Sequence, residues 1–460
     1  MNKIVTQVTS VENSIKLFSQ NQQINELLQQ SNVRKDKGVS LDILFQFLVS
    51  IAFTGKNLFR LVDSSATPPG IGKDVVYRFF NCVSSNWRKF LLLLSTRVIV
   101  QELLPLTDDS TTKVLIADDT LYRRDRSKKV ELLARVHDHN TNSYHRGFRM
   151  LTLGWSDGNS FIPMLFSMLS SAKEKNRLAP MRSNIDKRTN GYKRRQESIK
   201  KSPDVLVEMV ALAMTAGTKA KHLLFDSWFA FPATIRRIHE LGMHTICMLK
   251  DTKNIHYTFQ GDSMTLKELF YWVRKRPGRA KVLASIMVTI GEDAKGNPLA
   301  AKVVFVRNRS SKSWLAVLAT DTTLTDEEII KLYGMRWDIE VFFKITKSFL
   351  NLATECQSRS FDALVAHTTV VCSRYIMLTL ARRTNSDPRT LGTLFHAVCD
   401  ELRQTSFIEA LALLLKLLER SLNKLAGFSK ELMNEVIEQF VAELPIHFKA
   451  RMLLSALVIH

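Results

Sequence analysis

A chain of 460 residues is too long for one ordinary core and points to two or three domains. Its 45% hydrophobic and 24% charged residues are those of a folded protein and exclude disorder throughout. Lysine and arginine number 65 against 44 aspartates and glutamates, a formal net charge of +21, which favours a polyanionic partner with nucleic acid first.

The five cysteines (Cys82, Cys247, Cys356, Cys372, Cys399) stand far apart and form no CxxC or Cys/His ligand pair, which argues against disulfides and structural zinc. The first residues lack the apolar run of a signal peptide, and no stretch reaches the roughly 18 uninterrupted apolar residues of a membrane span. A reducing cytoplasm fits best, with no membrane partner.

From the start to about Leu104 the pattern is helical, with apolar residues at helical spacing in Ile43–Phe53 and Phe90–Val100. Pro68–Gly72 reads as a loop, followed by a short basic helix over Lys73–Phe80. That helix is either part of a helix-turn-helix or the surface helix of a small bundle. Polar residues around 105–112 mark a boundary, after which the pattern changes to strands. Lys113–Ala117 is a short strand; His145–Trp155 and Ser160–Leu169 flank Ser156–Asn159 as a hairpin. Lys173–Lys201 holds eleven Lys/Arg and almost no large apolar residues, which predicts a solvated loop or a phosphate-gripping segment outside any core. Pro203–Met214 (helix), His222–Phe225 (strand), Pro232–Leu241 (helix) and His244–Leu249 (strand) then alternate as in a parallel sheet with crossover helices. Residues 251–321 return to a β-rich pattern and look like an insertion. Thr325–Glu328 is a capping-type start to one long helix, and the chain beyond Glu355 is helical and Leu-rich.

The long helix carries the strongest chemical signal. At about 100° per residue, Tyr333, Arg336 and Lys347 lie within roughly 40° of Glu340, so one stripe holds a phenol, a guanidinium, a carboxylate and an ammonium. A solvated face would also be polar, but the flanking Trp337, Ile339, Val341, Phe342, Phe343 and Ile345 imply contacts on several sides.

The spacing Tyr-x2-Arg-x3-Glu-x6-Lys resembles the signature of the insertion-sequence-four family of DDE transposases, which includes the transposon-five and transposon-ten enzymes. The resemblance implies an α/β, RNase H-like catalytic core over residues 113–354 with the 251–321 β-rich insertion. A helical DNA-binding region (1–104) would precede it, and a helical region serving dimerisation (355–460) would follow. It also implies an Asp before a Thr at the end of a first strand, met by Asp119-Thr120, with Asp118 as the alternative, and a second Asp after a later strand, met by Asp226. Either could be an ordinary strand-end or capping residue. With Glu340 they give three carboxylates suited to two Mg²⁺ ions, or Mn²⁺ in their place, in phosphoryl transfer.

For DNA contact, Arg336 suits a bidentate phosphate pair, Lys347 a point charge and Tyr333 a hydrogen bond. Arg123 and Arg124 either join them or are simply exposed. Trp314 opens the last strand of the insertion, where the family stacks a flipped base, and is otherwise a core tryptophan; Trp337 is a second candidate. The cluster His137, Asp138, His139 and His145 reads as a surface loop rather than a metal site, and His239, His244 and His256 lack ligand spacing.

The expectation is a cut-and-paste transposase acting as a homodimer in a synaptic complex on the terminal repeats of its element and on target DNA. Its setting would be the bacterial-type cytoplasm, at the nucleoid. A nuclease on the same fold without strand transfer, and a catalytically silent DNA-binding repressor, are the alternatives.

Overall fold

The computed structural model describes residues 13–63, 70–138, 141–308, 313–422 and 430–443. The N-terminal stretch considered for a signal peptide, Pro68, Pro69 and His139 lie outside them.

Helices open the chain: α1 (Ser14–Asn21), α2 (Ile24–Gln30), α3 (Leu41–Ser50), α4 (Leu58–Asp63), α5 (Lys73–Phe80) and α6 (Trp87–Arg97). The side chains of Asn13, Ser40 and Asn86 accept the third backbone N–H of α1, α3 and α6, which fixes where those helices start. Their apolar faces meet in one core, with Phe45 against Phe90 edge to face at 5.4 Å.

Among the described residues eleven strands then form a single sheet: β1 (Val114–Arg123), β2 (Ala134–Asp138), β3 (Ser143–Ser156), β4 (Phe161–Leu169), β5 (His222–Phe225), β6 (His244–Met248), β7 (His256–Phe259), β8 (Asp262–Thr265), β9 (Val282–Glu292), β10 (Pro298–Arg307) and β11 (Trp314–Ala319). Their order is β2-β3-β1-β5-β6-β11-β10-β9-β7-β8, with β4 also on β3. β1 runs antiparallel to β3 and parallel to β5, and β5 is parallel to β6. The antiparallel strands β1 to β4 beside the parallel β5 and β6, with helices before and after the sheet, are consistent with an RNase H-like nuclease fold. The 251–321 segment extends the same sheet, because β11 pairs antiparallel with β6.

The crossovers are α7 (Asn190–Ser198) and α8 (Ser202–Met214) before β5, and α9 (Pro232–Glu240) before β6; α10 (Leu266–Trp272) follows β8. α7 corrects the solvated reading of Lys173–Lys201 over its own residues, whereas most of 173–189 is exposed as that reading expects. Arg195 is fully buried there, held by Glu131 at 2.6 and 2.8 Å and by Asp362 at 2.7 and 2.9 Å. A basic tract enters a core when buried carboxylates meet it, and hydropathy alone does not show that.

The expected long helix is two. Thr325 caps α11 (Asp326–Gly334) in a reciprocal box with Glu328, and α12 (Trp337–Ser348) follows after a break at Met335-Arg336. There the amides of Met335, Arg336, Asp338 and Ile339 bond three residues back rather than four. Gly334, a weak helix former, sits just before this tightened turn. The last described helices are α13 (Phe361–Thr384), α14 (Leu391–Leu422) and α15 (Lys430–Glu443). α13 is long and apolar enough to cross a membrane, but it is buried inside the protein against α3, α5, α6, α12 and β4. Its fully buried Arg374 pairs with Glu355 at 2.8 and 2.9 Å and donates to the carbonyls of Leu48, Val49 and Leu350, tying α3 to the end of α12.

Candidate active site

The site lies at the carboxyl ends of the central parallel strands, the usual place for ligands in an open α/β sheet. β1 and β5 are paired from Val114–His222 to Ile116–Leu224, so continuing that register sets Asp226 beside Asp118. In a strand successive side chains alternate, and Asp118 and Thr120 therefore share the face on which α12 packs. Arg336 Nη1 donates to Asp118 Oδ2 at 2.8 Å and to Glu340 Oε1 at 3.3 Å. Lys347 Nζ donates to Thr120 Oγ1 at 2.5 Å. Asp119 is engaged instead by Arg149 from β3, whose other Nη donates to the His137 carbonyl at 2.6 Å.

Asp118, Asp119, Asp226 and Glu340 line one cleft of about 780 Å³, together with Arg336 and Lys347. Burial, and next the Asp226 charge, push the Asp118 carboxyl up to about 7 against the pull of Arg336. Burial also raises Asp226, with Glu340 adding to it, while the Trp228 N–H donated to its Oδ1 at 2.9 Å opposes the rise. Tyr333 is pushed up to about 12 by burial, its ring 6.0 Å from the Arg336 guanidinium carbon. Burial lowers the Lys347 ammonium.

The donor set is carboxylate oxygen, which suits a hard divalent ion rather than a soft one. Among the described residues, however, no group of three or more His, Cys, Asp or Glu is close enough to hold a metal ion, and Arg336 stands between Asp118 and Glu340. The cleft is thus assembled in charge and chemistry but spaced around a guanidinium.

The other sequence candidates divide. Arg123 lines the cleft and pairs with Asp125 at 2.6 Å. Arg124 turns away, donating to the Cys356 carbonyl at 2.5 Å and to the Tyr122 hydroxyl at 3.3 Å. Trp314 packs into the β-rich lobe, stacked on Phe270 at 4.6 Å, whereas Trp337 is 66% exposed. His145 lies against Asp125 at 3.3 Å. Sequence reading missed Arg149, Trp228, Lys250 and Lys344, all on the cleft wall. Lys250 could have been found, since it follows a strand parallel to the one before Asp226; Arg149 had no local signal.

A family model described as DDE superfamily endonuclease matches residues 53–263. The matched span contains Asp118, Asp119 and Asp226 and stops before the Tyr333–Lys347 helices. No curated protein matches the chain. Over somewhat less than half its length the chain is similar to the DDE superfamily endonucleases, which supports a DDE transposase-type family, metal-dependent DNA cleavage and DNA as the substrate.

Proposed function

We propose that this chain is a transposase that cuts DNA at the ends of its mobile element and joins them to a target, with Asp118, Asp226 and Glu340 as its metal-binding carboxylates. The observation that carries the proposal is the bridge from Arg336 to both Asp118 and Glu340. It joins the first strand to α12 at the cleft that Asp226 also lines. The sequence choice within the pair thereby moves from Asp119 to Asp118, whose face of β1 is shared with Thr120 and α12. Two Mg²⁺ ions, or Mn²⁺, are the cofactors this oxygen-donor set favours, and when bound they would supply an activated water and offset charge on the leaving oxygen.

The chain's own groups position DNA. Arg336 offers a planar fork to a backbone phosphate, and Lys347, Lys344 and Arg149 add charge along the cleft. Tyr333 is a half-buried support for Arg336 before it is a DNA contact. We assign residues 113–354 to catalysis, with 251–321 as an extension of its sheet, and 355–460 to support of the fold and dimerisation. End recognition falls to residues 1–104, where Arg34, Lys35, Lys37 and Arg78 surround a second cleft. The Tyr333/Arg336/Glu340/Lys347 spacing favours the insertion-sequence-four group, working as a homodimer on terminal repeats at the nucleoid.

The test is Asp226→Ala on a duplex carrying the element's end. It should bind that duplex like the wild type and fail to nick it in Mg²⁺. Nicking at the wild-type rate would remove Asp226 from the mechanism. Nicking without joining by the wild-type protein would favour the plain nuclease.

A further inference from the structure

The β-rich lobe carries a surface that catalysis does not use. α10 ends in Tyr271 and Trp272, which are 67% and 66% exposed and rank among the most exposed large apolar side chains described. They are not loose ends. Phe270 anchors them from below, stacked on Trp314 at 4.6 Å and 22° and meeting Tyr271 edge to face at 6.2 Å. Trp314 in turn lies edge to face on Phe305 of β10 at 5.4 Å. Lys275 Nζ sits 4.8 Å from the Phe270 ring centre and 5.9 Å from that of Tyr271, and donates to the Tyr271 carbonyl at 3.2 Å.

The chain beyond this aromatic group is cationic. Arg274, Lys275, Arg276, Arg279 and Lys281 are all exposed within eight positions. Among the described residues only Arg276 of these makes an ion pair, with Asp326 at 2.8 Å. Fixed rings in water beside unneutralised cations are a poor match for a neutral or basic protein partner. They match a chain that offers flat π faces and a phosphate at every step. A duplex hides its base faces by stacking, so the partner with both features is a strand with unpaired bases.

We propose that Tyr271, Trp272 and the 274–281 cations bind single-stranded DNA, the rings stacking on bases and the cations following the backbone. The lobe is built on the same sheet as the strand before Asp226, since β11 pairs with β6 and β6 with β5. A strand held there keeps a fixed relation to the cleft. The inference needs DNA as a ligand but not the catalytic carboxylates.

The test uses the full chain without divalent cations, reading fluorescence anisotropy on a labelled single strand and on its duplex over a range of salt. Tyr271→Ser with Trp272→Ser, both surface changes that spare the core, should weaken single-strand binding about tenfold or more and move duplex binding no more than about twofold. Lys275→Gln with Arg279→Gln should weaken both and flatten the salt dependence. Tryptophan emission should be quenched by the single strand in the wild type, and less so in Trp272→Phe. Unchanged single-strand affinity in the Tyr271/Trp272 variant, or equal loss on both DNAs, would overturn the proposal. So would a drop in sedimenting mass with DNA binding intact, which would make the patch a face for a second copy of this chain. If Asp226→Ala still cuts while Tyr271/Trp272 loses the single strand, the catalytic reading fails and this one stands.

Discussion

Arg336 reaches across 218 residues of sequence to donate to Asp118 at 2.8 Å, while the same nitrogen lies 3.3 Å from Glu340 one helical turn ahead. One guanidinium thus faces two carboxylates that repel each other. A lysine at this position would keep the charge but lose the planar fork that can address a carboxylate and a phosphate together. Arg336→Lys is therefore expected to lower nicking clearly, and Arg336→Ala by about 100-fold or more. Single-turnover nicking on end-containing duplex, beside binding to unrelated DNA, measures this. Arg336→Ala cutting at the wild-type rate would return α12 to an ordinary polar face.

The choice between the adjacent aspartates is tested by comparing them. Asp118 shares its face of β1 with α12, and Asp119 is held by Arg149. Asp118→Asn is expected to abolish Mg²⁺-dependent nicking, whereas Asp119→Asn should retain it at a reduced level that Arg149→Gln reproduces. Mn²⁺ binding followed by electron paramagnetic resonance gives a second readout, falling in Asp118→Asn and surviving in Asp119→Asn. The reverse order of effects would restore Asp119 as the ligand.

That choice was illegible in the sequence for a physical reason. Val114 to Ala117 are apolar and buried on both faces, so no polar alternation tells which parity looks toward α12. Only the pairing of β1 with β5 and the docking of α12 decide it. Local signals fared better: His222–Phe225 is a strand at the bounds read from its apolar run, and the Thr325/Glu328 box starts a helix where expected. Asp226 from one segment, and Arg336, Glu340 and Lys347 from a much later one, all reach the cleft. Arg124 and Arg195 were misjudged in opposite senses, one turned to the Cys356 carbonyl and the other buried between Glu131 and Asp362. Their partners come from distant segments, and composition does not report such pairs.

A pH dependence follows from Asp118. Its carboxyl, pushed up to about 7 by burial and then by Asp226, is harder to ionise in the folded chain than in the unfolded one, where it titrates near 4. Below about pH 4 both states are protonated and nothing is lost. As pH rises from there through 7 the folded state holds the extra proton, and stability falls. Without divalent ions, Asp118→Asn should thus gain melting temperature relative to wild type across this window, by about 2 °C or more, and level off above it. Asp226, also raised, acts in the same direction. Mg²⁺ should narrow the gap at pH 8 by stabilising the ionised wild type. A gap that stays flat with pH would mean that Asp118 is not strained in this way.

The buried Glu355–Arg374 pair makes the opposite prediction. Glu355 and Arg374 side chains are 2% and 0% exposed, and despite burial the Arg374 guanidinium and His367 hold the Glu355 carboxyl down to about 2. A carboxylate depressed in the folded state contributes stability above its unfolded value of about 4.5, lost as pH falls toward 2. Arg374→Met leaves Glu355 buried without its counter-charge and frees the carbonyls of Leu48, Val49 and Leu350, so it should cost about 3–5 kcal/mol at pH 7. Glu355→Leu with Arg374→Met removes both charges and should recover part of that loss, because neither ion then has to be desolvated alone. Urea unfolding of the wild type and both variants at pH 7 and pH 3 tests the sign. The penalty of Arg374→Met should be smaller at pH 3, where protonation of Glu355 in that variant relieves the stranded charge. An equal penalty at both values would show that Arg374 acts through packing and its carbonyl contacts, and that the ion pair adds little to the joint between α3 and the end of α12.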